Sequence, residues 1–303
     1  MRMPFPEVVD NTILNAFRSC PRRAYLQYVE HWKSKYTNVH LHAGAAFAAG
    51  LETTRRLFFD HGASESMAVA AGLKDLIDYY GDFECPPDSA KSVERMVGAF
   101  EYYLQEAYPI ETDLAKPLKL PSGRSAVEFS FAEPLPIKHP ETGNPIIYSG
   151  RTDMIVSMVN GIFVEDDKTT SSLGASWSNQ WEMRGQFTGY CWAARANNIA
   201  VDGALVRGVA ILKTKYNHAQ HITFRPTWEV NRWFEQSCRD LERMKAAWES
   251  GYWDYNLGEA CNEYGGCLFV DVCKKPNPEE WLEVYYSRKK WNPLTRQEEI
   301  IDA

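Results

Sequence analysis

The pattern of apolar positions divides the chain into a helical first third and a mixed remainder. In the first third, apolar residues recur every three or four positions, which is the period of an amphipathic helix. Pro21 should perturb the first of these helices, because proline has no N–H for the helical hydrogen bond. The predicted helices span residues 11–31, 43–59, 64–80 and 89–108.

The remainder of the chain alternates short apolar runs with further helical stretches. Runs rich in Val, Ile, Phe and Tyr are typical of β-strands. Strands with helices on both sides along the chain indicate a sheet packed between helices. The predicted strands span residues 126–131, 145–159, 161–168, 204–213 and 221–225, and the helices span residues 177–197 and 227–250. We therefore predict an α/β sandwich, in which helices flank a sheet.

Three consecutive parts follow from this pattern. Residues 1–120 are a mostly helical N-terminal part, residues 121–258 a core that contains the strands, and residues 259–303 a cysteine-rich segment and tail. The sequence has no internal repeat or low-complexity tract. One catalytic or binding domain with helical additions is the simplest division.

Composition and charge restrict the classes of function. The 303 residues are 45% hydrophobic, which is ample for a packed core, and the formal net charge is −7. That charge argues against a protein that coats nucleic acid, because phosphate binding needs Lys and Arg. No run of eighteen apolar residues is present, and the first residues lack the apolar core of a secretion signal. We expect a cytoplasmic protein that does not bind a membrane.

A tight turn is predicted between the second and third strands. Asn160-Gly161 is typical of a two-residue type I′ turn, which needs positive φ at both central positions. Such a turn would pair Val159 with Ile162. Because the turn fixes the register, the two strands can be aligned outward from it.

Three charged residues share one face of this predicted hairpin. Counting outward from the turn, Asp153 lies opposite Lys168, and Asp166 lies on the same face. Charges at the end of a buried strand are costly unless they are paired or bind a metal ion. The three residues therefore form either a metal site or, for Asp153 and Lys168, a plain cross-strand ion pair.

Three short motifs lie on the hairpin and after it. Residues 150–153 are Gly-Arg-Thr-Asp, and residues 166–169 are Asp-Asp-Lys-Thr. Gln186 and Tyr190 follow, and their spacing of four places both on one helix face. Taken alone, this pair would suit any amphipathic helix. Together the motifs resemble the G-x-x-D, D-x-K-T and Q-x-x-x-Y elements of RecB-like PD-(D/E)XK nucleases.

The predicted helix over residues 43–59 departs from that family pattern. Many relatives carry G-x-x-x-H on a helix before the strands, whereas here Gly44 is followed four positions later by Ala48. Glu52 lies one turn further on and is a candidate metal ligand or water-orienting group. His42 is out of phase with the motif and is a weaker candidate.

Four of the seven cysteines form a one-plus-three pattern. Cys261, Cys267 and Cys273 have five residues between successive cysteines, and Cys20 lies far upstream. The arrangement is similar to iron–sulfur nucleases of CRISPR adaptation and of bacterial recombination, which implies a [4Fe–4S] cluster that staples the C-terminal segment. A structural zinc site with the same four ligands and a set of buried free thiols are the alternatives.

The resemblance also implies a restriction-endonuclease-like α/β fold, with a mixed sheet flanked by helices, and an activity that hydrolyses phosphodiester bonds. The implied catalytic residues are Asp153, Asp166, Lys168, Gln186 and Tyr190. The implied ligands of Mg²⁺ or Mn²⁺, which prefer oxygen, are Asp153, Asp166 and the carbonyl of Asp167. Lys168 would orient the attacking water and stabilise transition-state charge. Gln186 and Tyr190 would position the phosphate and sugar.

The implied substrate is DNA with a single-stranded portion or an end. The implied setting is recombination, repair or phage DNA processing in a bacterial or phage-infected cell, with a helicase or recombination protein as partner. The alternative is a catalytically silent relative that binds single-stranded DNA or a recombination partner, with stacking surfaces from Trp177, Trp181 and Tyr190. A purely structural zinc or iron–sulfur scaffold would leave the three converging charges unexplained.

Overall fold

A computed structural model describes residues 2–36, 38–262 and 266–300. The chain divides into two units, each built from separated stretches of sequence. The first unit comprises residues 1–36, 131–150 and 231–303, and the second comprises residues 37–130 and 151–230. These units follow contacts in space, whereas the three parts expected from the sequence follow chain order, so that three-part division stays a prediction.

The helices of the second unit are α3 (Val39–His61), α4 (Glu65–Tyr80), α5 (Val93–Tyr102), α6 (Ala175–Asn179) and α7 (Gly185–Ala196), with a π-helical turn at Tyr103–Ala107. Polar side chains cap the longer ones. Asn38 accepts a hydrogen bond from the backbone N–H of His40 at 2.8 Å, at the start of α3. Gly62 ends α3 with a φ of 66°, a left-handed conformation that suits glycine.

Six strands lie wholly or partly in the second unit: β3 (Lys116–Pro117), β4 (Val127–Lys138), β5 (Pro145–Met158), β6 (Gly161–Thr170), β7 (Gly203–Ile211) and β8 (Tyr216–Phe224). Strand β6 pairs antiparallel with β5 and parallel with β7, and β8 pairs antiparallel with β7. Every residue of β7 is buried, as expected for a strand that is covered on both faces.

Helices cover both faces of this sheet. Arg55 of α3 donates hydrogen bonds to the carboxylates of Glu165 and Asp167, which occupy odd positions of β6. Gln186 of α7 donates to Asp166, an even position. Successive residues of a strand point to opposite faces, so α3 and α7 lie on opposite sides. The predicted mixed sheet between helices is therefore confirmed.

The first unit contains β1 (Val8–Val9), α1 (Asn11–Ser19), α2 (Pro21–Ala24), a π-helical turn (Tyr25–Val29), β2 (Trp32–Ser34), most of α8 (Thr227–Ser250), α9 (Glu259–Asn262), α10 (Val270–Cys273), α11 (Glu279–Tyr285), β9 (Tyr286–Asn292) and β10 (Gln297–Ile300). Strand β9 pairs antiparallel with both β2 and β10. An apolar cluster in this unit includes Leu26, Trp32, Phe269 and Val272. In the part of the chain that the structure describes, no helix is long and apolar enough to span a membrane.

Two predicted helices are interrupted. The first ends at Ser19, because Cys20 is extended with a φ of −159° and Pro21 begins a new helical turn. The helix expected over residues 177–197 is divided into α6 and α7. Between them, the ring of Trp181 lies 5.6 Å from Trp177 and 5.7 Å from Phe187, centroid to centroid. Aromatic packing thus overrides the helical periodicity here.

Candidate active site

The turn between β5 and β6 lies one residue earlier than the sequence predicted. Met158 pairs with Gly161, so the turn consists of Val159 and Asn160. The predicted pairing of Val159 with Ile162 is wrong. Asn160 is also not among the described residues with positive φ, so the predicted type I′ turn is not formed.

Gly161 is the first residue of β6 and is not part of the turn. Its φ is 144°, and a Cβ atom at this position would lie 2.5 Å from Oδ2 of Asp202. That carboxylate accepts a hydrogen bond from the backbone N–H of Ile162 at 2.9 Å. The glycine is therefore needed for close approach to Asp202, a long-range contact that the local Asn-Gly signal does not reveal.

The shifted turn keeps the charged residues on one face. Met154 pairs with Glu165. One position further out, Asp153 comes opposite Asp166 and not opposite Lys168 as predicted. The predicted and observed registers differ by an even number of positions, so Asp153, Asp166 and Lys168 still share a face.

Hydrogen bonds and an ion pair connect this face to α7. The ammonium of Lys168 forms an ion pair with Oδ2 of Asp166, which is only 4% exposed. The amide Nε2 of Gln186 donates to Oδ1 of Asp166 at 3.2 Å and to the hydroxyl of Tyr190 at 3.0 Å. The structure thus brings four of the five candidate catalytic residues into one bonded group.

Asp153 reaches this group through the backbone of β6. Its Oδ2 accepts a hydrogen bond from the N–H of Asp167 at 2.7 Å. The N–H and C=O of one residue point to the same edge of a strand, so the Asp167 carbonyl lies on the Asp153 side. The Asp167 carboxylate points to the other face, where it accepts hydrogen bonds from Arg55 and Tyr103. Asp167 can therefore offer its carbonyl to a metal ion, but not its carboxylate.

The charges on this face do not balance. Burial and the carboxylates of Asp166 and Asp167 raise the pKa of Asp153 to about 7. Burial alone would lower the pKa of Lys168, but Asp166 and Asp153 raise it above its usual value. The lysine therefore stays charged at neutral pH, and one ammonium faces two carboxylates.

The opposite face of β6 carries a network of ion pairs that the sequence did not reveal. Glu165 is fully buried and accepts a hydrogen bond from Arg55 Nη2 at 2.8 Å. Arg55 Nη1 donates to Asp167 at 2.6 Å. Arg207 Nη2 donates to Asp113 Oδ1 at 2.8 Å, and its Nη1 lies 3.6 Å from Glu165. The hydrogen bonds of Arg55 span 110 and 112 positions and that of Arg207 to Asp113 spans 94, so the network leaves no local sequence signal.

Glu128 is an acidic residue near the site that sequence reasoning missed. Its carboxylate lies 2.5 Å from Nε of Arg151. Burial, together with the charge of Asp153, raises the pKa of Glu128 to about 8. Its φ of 53° is rare for a residue with a side chain, and such conformations cluster at functional sites. The visible signal was a glutamate within an apolar strand, Val127-Glu128-Phe129.

The two weaker candidates on α3 have different surroundings. Glu52 accepts a hydrogen bond from Arg56 Nε at 2.9 Å, and its other oxygen lies 3.7 Å from Nη1 of Arg151. Its negative charge also contributes to the raised pKa of Glu128. His42 stacks on Phe83 with ring centroids 4.2 Å apart and bonds to a backbone carbonyl. Packing therefore accounts for His42, whereas Glu52 stays a candidate.

The aromatic residues expected to stack on single-stranded DNA are buried. Trp177, Trp181 and Tyr190 are 5%, 6% and 6% exposed, respectively. The rings of Trp177 and Trp181 pack edge to face, and Trp177 lies directly over Gly208. Base stacking needs an accessible ring face. These three residues therefore do not provide the stacking surface that we expected for a silent DNA-binding protein.

The four candidate cluster cysteines belong to the first unit. Burial raises the pKa of the Cys267 thiol, and raises that of Cys273 to about 11. Both thiols also experience the charges of Cys20 and Cys261, so the four lie within electrostatic reach of one another. Arg22 opposes the shift at Cys273. The raised pKa values favour the protonated form of the Cys267 and Cys273 thiols.

Metal-ligand geometry is a stricter test than proximity. Within residues 2–36, 38–262 and 266–300, no three His, Cys, Asp or Glu side chains are arranged to hold a metal ion. This applies to the cysteines as well as to the acidic face. On the acidic face, the oxygens that lie together are two carboxylates and one backbone carbonyl.

Residues 11–274 match the model of the PD-(D/E)XK nuclease superfamily, and the chain belongs to this family of phosphodiester hydrolases. The fold is similar to a protein from Eubacterium rectale described as a "putative exonuclease", with 11% identity, 84% of this chain and 87% of that chain covered, and a TM-score of 0.48. It is also similar to SSO0001, with 13% identity, 78% and 84% covered, and a TM-score of 0.29. No curated protein sequence matches the chain.

Proposed function

We propose that this chain is a Mg²⁺- or Mn²⁺-dependent nuclease that degrades DNA from an end or single-stranded portion. One observation carries the proposal: Asp166 is joined to Lys168 by an ion pair and to Gln186 by a hydrogen bond, with a second carboxylate, Asp153, on the same face. The chain's family supplies the reaction, which is phosphodiester hydrolysis. The preference for DNA and for an end rests on the RecB-like motifs.

The oxygen atoms of the acidic face suit a hard divalent cation. Asp153 and Asp166 would hold it, and the Asp167 carbonyl lies on the correct edge of β6 to assist. Burial raises the pKa of Asp153, and repulsion from the carboxylates of Asp166 and Asp167 raises it further. A bound cation would relieve that repulsion. When bound, the ion supplies Lewis acidity toward the phosphate and lowers the pKa of a water molecule.

The remaining roles follow from the contacts of each side chain. Gln186 holds Asp166 in one orientation by donating a hydrogen bond to its Oδ1. The other carboxylate oxygen, Oδ2, forms the ion pair with Lys168. Lys168 keeps its positive charge and is placed to stabilise negative charge on the phosphate in the transition state. Tyr190 orients the Gln186 amide through its hydroxyl. Glu52 of α3, which lies beside Arg151, is proposed as an additional metal ligand or as a water-orienting group.

The test is a cleavage assay on end-labelled single- and double-stranded DNA, with Mg²⁺, Mn²⁺ or EDTA. We expect cleavage only with a metal ion, and products that shorten progressively from one end. Circular single-stranded DNA of the same sequence is the control for end dependence. A protein that cuts no DNA with either ion, yet binds single strands, would favour the silent binding alternative. Cleavage that persists in EDTA would overturn metal dependence.

We further propose that Cys20, Cys261, Cys267 and Cys273 hold a [4Fe–4S] cluster, with a structural zinc ion as the alternative. Their mutual electrostatic contact and the nearby Arg22 support the proposal, because positive charge favours thiolates. Metal analysis of anaerobically purified protein should find about four irons per chain for the cluster. Cys85→Ala is the control, and only Cys20→Ala should lose the metal. Stoichiometric zinc in colourless protein would select the alternative, and absence of both metals would refute the site.

The proposed biological setting is recombination, repair or phage DNA processing in the cytoplasm of a bacterial or phage-infected cell. A helicase or recombination protein is the proposed partner. Both statements rest on the RecB-like and iron–sulfur motif pattern of the sequence.

A further inference from the structure

A cavity of about 590 Å³ lies in the second unit, at the carboxyl ends of the parallel strands β6 and β7. Ser171 directly follows β6, Leu212 and Lys213 directly follow β7, and all three line the cavity. Ligands of α/β sheets commonly bind outside the carboxyl ends of parallel strands. The volume lies within the range of roughly 300 to 1,000 Å³ that is typical of ligand sites.

Lys91 lines this cavity and is fixed from several directions. The residue is 3% exposed, and its Nζ donates a hydrogen bond to Thr169 Oγ1 at 2.9 Å. Its backbone N–H donates to Ser89 Oγ at 3.2 Å, and its carbonyl accepts from the Tyr80 hydroxyl at 2.6 Å. The ammonium is therefore already held in place before any ligand binds.

The charge of Lys91 has no partner of opposite sign among the described residues. Its side chain bonds only to the hydroxyl and carbonyl of Thr169. Burial lowers its pKa to about 8, and no neighbouring carboxylate opposes that shift. A buried charge is costly unless it is paired, so an anion that entered the cavity would gain a strong interaction.

The other lining residues favour an anion as well. Lys213 and His40 line the cavity, and Ser89 and Ser171 supply hydroxyl donors. Asp88 is the one acidic residue of the described lining, and it is exposed. Cations and hydroxyl groups together are the groups that bind phosphate oxygens in protein–DNA contacts.

We propose that this cavity binds a phosphate group of the DNA strand that the nuclease cuts, with Lys91 as its buried cation. Thr169, which holds Lys91, is the next residue after Lys168 in β6. Asp166 and Thr169 are three residues apart, or roughly 10 Å along the strand. The side chains of Thr169 and Asp166 point to opposite faces of the sheet. A substrate strand that passes the carboxyl end of β6 would reach both the cavity and the candidate active site. This proposal rests on the nuclease function proposed above.

The first test measures binding of single-stranded oligonucleotides in EDTA, so that no cleavage is needed. Lys91→Met keeps the apolar stem and removes the charge. We expect it to weaken binding about tenfold, because a charge-assisted hydrogen bond is lost. The slope of log affinity against log salt should fall by about 0.7, the value for one phosphate contact on a single strand. Lys74→Met, an exposed lysine on α4 outside the cavity, is the matched control.

Oligonucleotides that end in a 5′-phosphate, a 3′-phosphate or a hydroxyl identify which phosphate is bound. A preference for one phosphorylated end that disappears in Lys91→Met would assign a terminal phosphate. An equal loss for all three would assign an internal phosphodiester. Wild-type affinity and salt slope in Lys91→Met would overturn the proposal. If Lys91→Met does not fold, Lys213→Met takes its place, because Lys213 is an exposed residue of the same lining. The proposal then requires that Lys213→Met binds the oligonucleotides more weakly than the wild type, by less than tenfold.

A second test does not depend on nuclease function. Inorganic phosphate should raise the thermal unfolding temperature of the wild-type protein above its value in chloride of equal ionic strength. Lys91→Met and Lys213→Met should each show a smaller rise, and Lys74→Met should behave as wild type. Equal stabilisation of all variants, or none of the wild type, would refute the phosphate site, whatever the cleavage assay shows.

Discussion

The two faces of strand β6 carry similar residues, but their carboxylates have different partners. On the odd face, Glu165 and Asp167 are each bonded to the buried Arg55, and Arg207 adds a second guanidinium. On the even face, Asp166 and its neighbour Asp153 share the single ammonium of Lys168. Glu165, Asp167 and Asp113 each bond to a guanidinium, whereas Asp153 bonds to a backbone N–H and the nearby lysine pairs with Asp166. An added cation would therefore stabilise the even face more than the odd face.

This difference assigns separate roles to adjacent residues. The odd face holds β6 against α3, which fixes the strand that carries the site. The even face is left with the charge that a metal ion can neutralise. Asp166 and Asp167, which are neighbours in the sequence, should therefore differ in what their substitution damages.

Removing the central cation of the odd face should have the largest effect on stability. Arg55→Met leaves Glu165 and Asp167 buried without their main partner, which costs about 3–5 kcal/mol in comparable buried networks. Urea unfolding measures this loss. Arg56→Met is the matched control, because Arg56 forms a part-exposed pair with Glu52 that contributes about 0.2–1 kcal/mol at most. Equal losses of unfolding free energy in both variants would contradict the structural role assigned to the odd face.

Neutralising the even face should affect the reaction instead. Asp166→Asn should slow metal-dependent cleavage by at least about a hundredfold, the effect of losing roughly 3 kcal/mol of transition-state stabilisation. The unfolding free energy should stay the same or rise, because one of two mutually repelling carboxylates is removed. Asp167→Asn should lower stability but keep cleavage in the folded protein. The opposite assignment of effects would reverse the roles of the two faces.

Substitution of Lys168 should slow the reaction without weakening metal binding. Lys168→Met removes the ammonium that would stabilise charge on the phosphate, so cleavage should slow, by less than in Asp166→Asn. Its affinity for Mn²⁺ should not fall, and removal of a positive charge beside two carboxylates should strengthen it. Weaker Mn²⁺ binding by this variant would show that the lysine organises the ligands.

The sequence was enough to predict the fold, but not the strand register or the buried ion pairs. The sheet between helices followed from the apolar runs, and its mixed strand directions were implied by the family resemblance. The shared face of Asp153, Asp166 and Lys168 was predicted correctly despite the misplaced turn, because strand positions alternate with a period of two. The turn itself was misplaced because the glycine at position 161 is required by its close contact with Asp202, which is distant in the sequence. Arg55 and Glu128 were missed because their partners and the backbone φ of Glu128 depend on tertiary structure.

The smallest predicted effect is the pH dependence of the metal-free protein. The pKa of Asp153 is raised to about 7, so between its ordinary value and 7 the folded state binds more protons than the unfolded state. Stability in EDTA should therefore fall as pH rises toward 7, and Asp153→Asn should reduce that slope. Thermal unfolding from pH 5 to 8 measures this. A slope that Asp153→Asn leaves unchanged would point to Glu128 or Glu165, whose pKa values are also raised.

Calorimetric titration with Mn²⁺ tests the central claim, that the excess charge of the even face is a metal site. Wild type, Asp166→Asn and Asp167→Asn should be compared at one pH above 7, where Asp153 has lost its proton. The wild type and Asp167→Asn should bind Mn²⁺ with similar affinity, and Asp166→Asn should bind at least about tenfold more weakly, a loss of about 1.4 kcal/mol. Undiminished binding by Asp166→Asn, or loss of binding by folded Asp167→Asn alone, would contradict the claim.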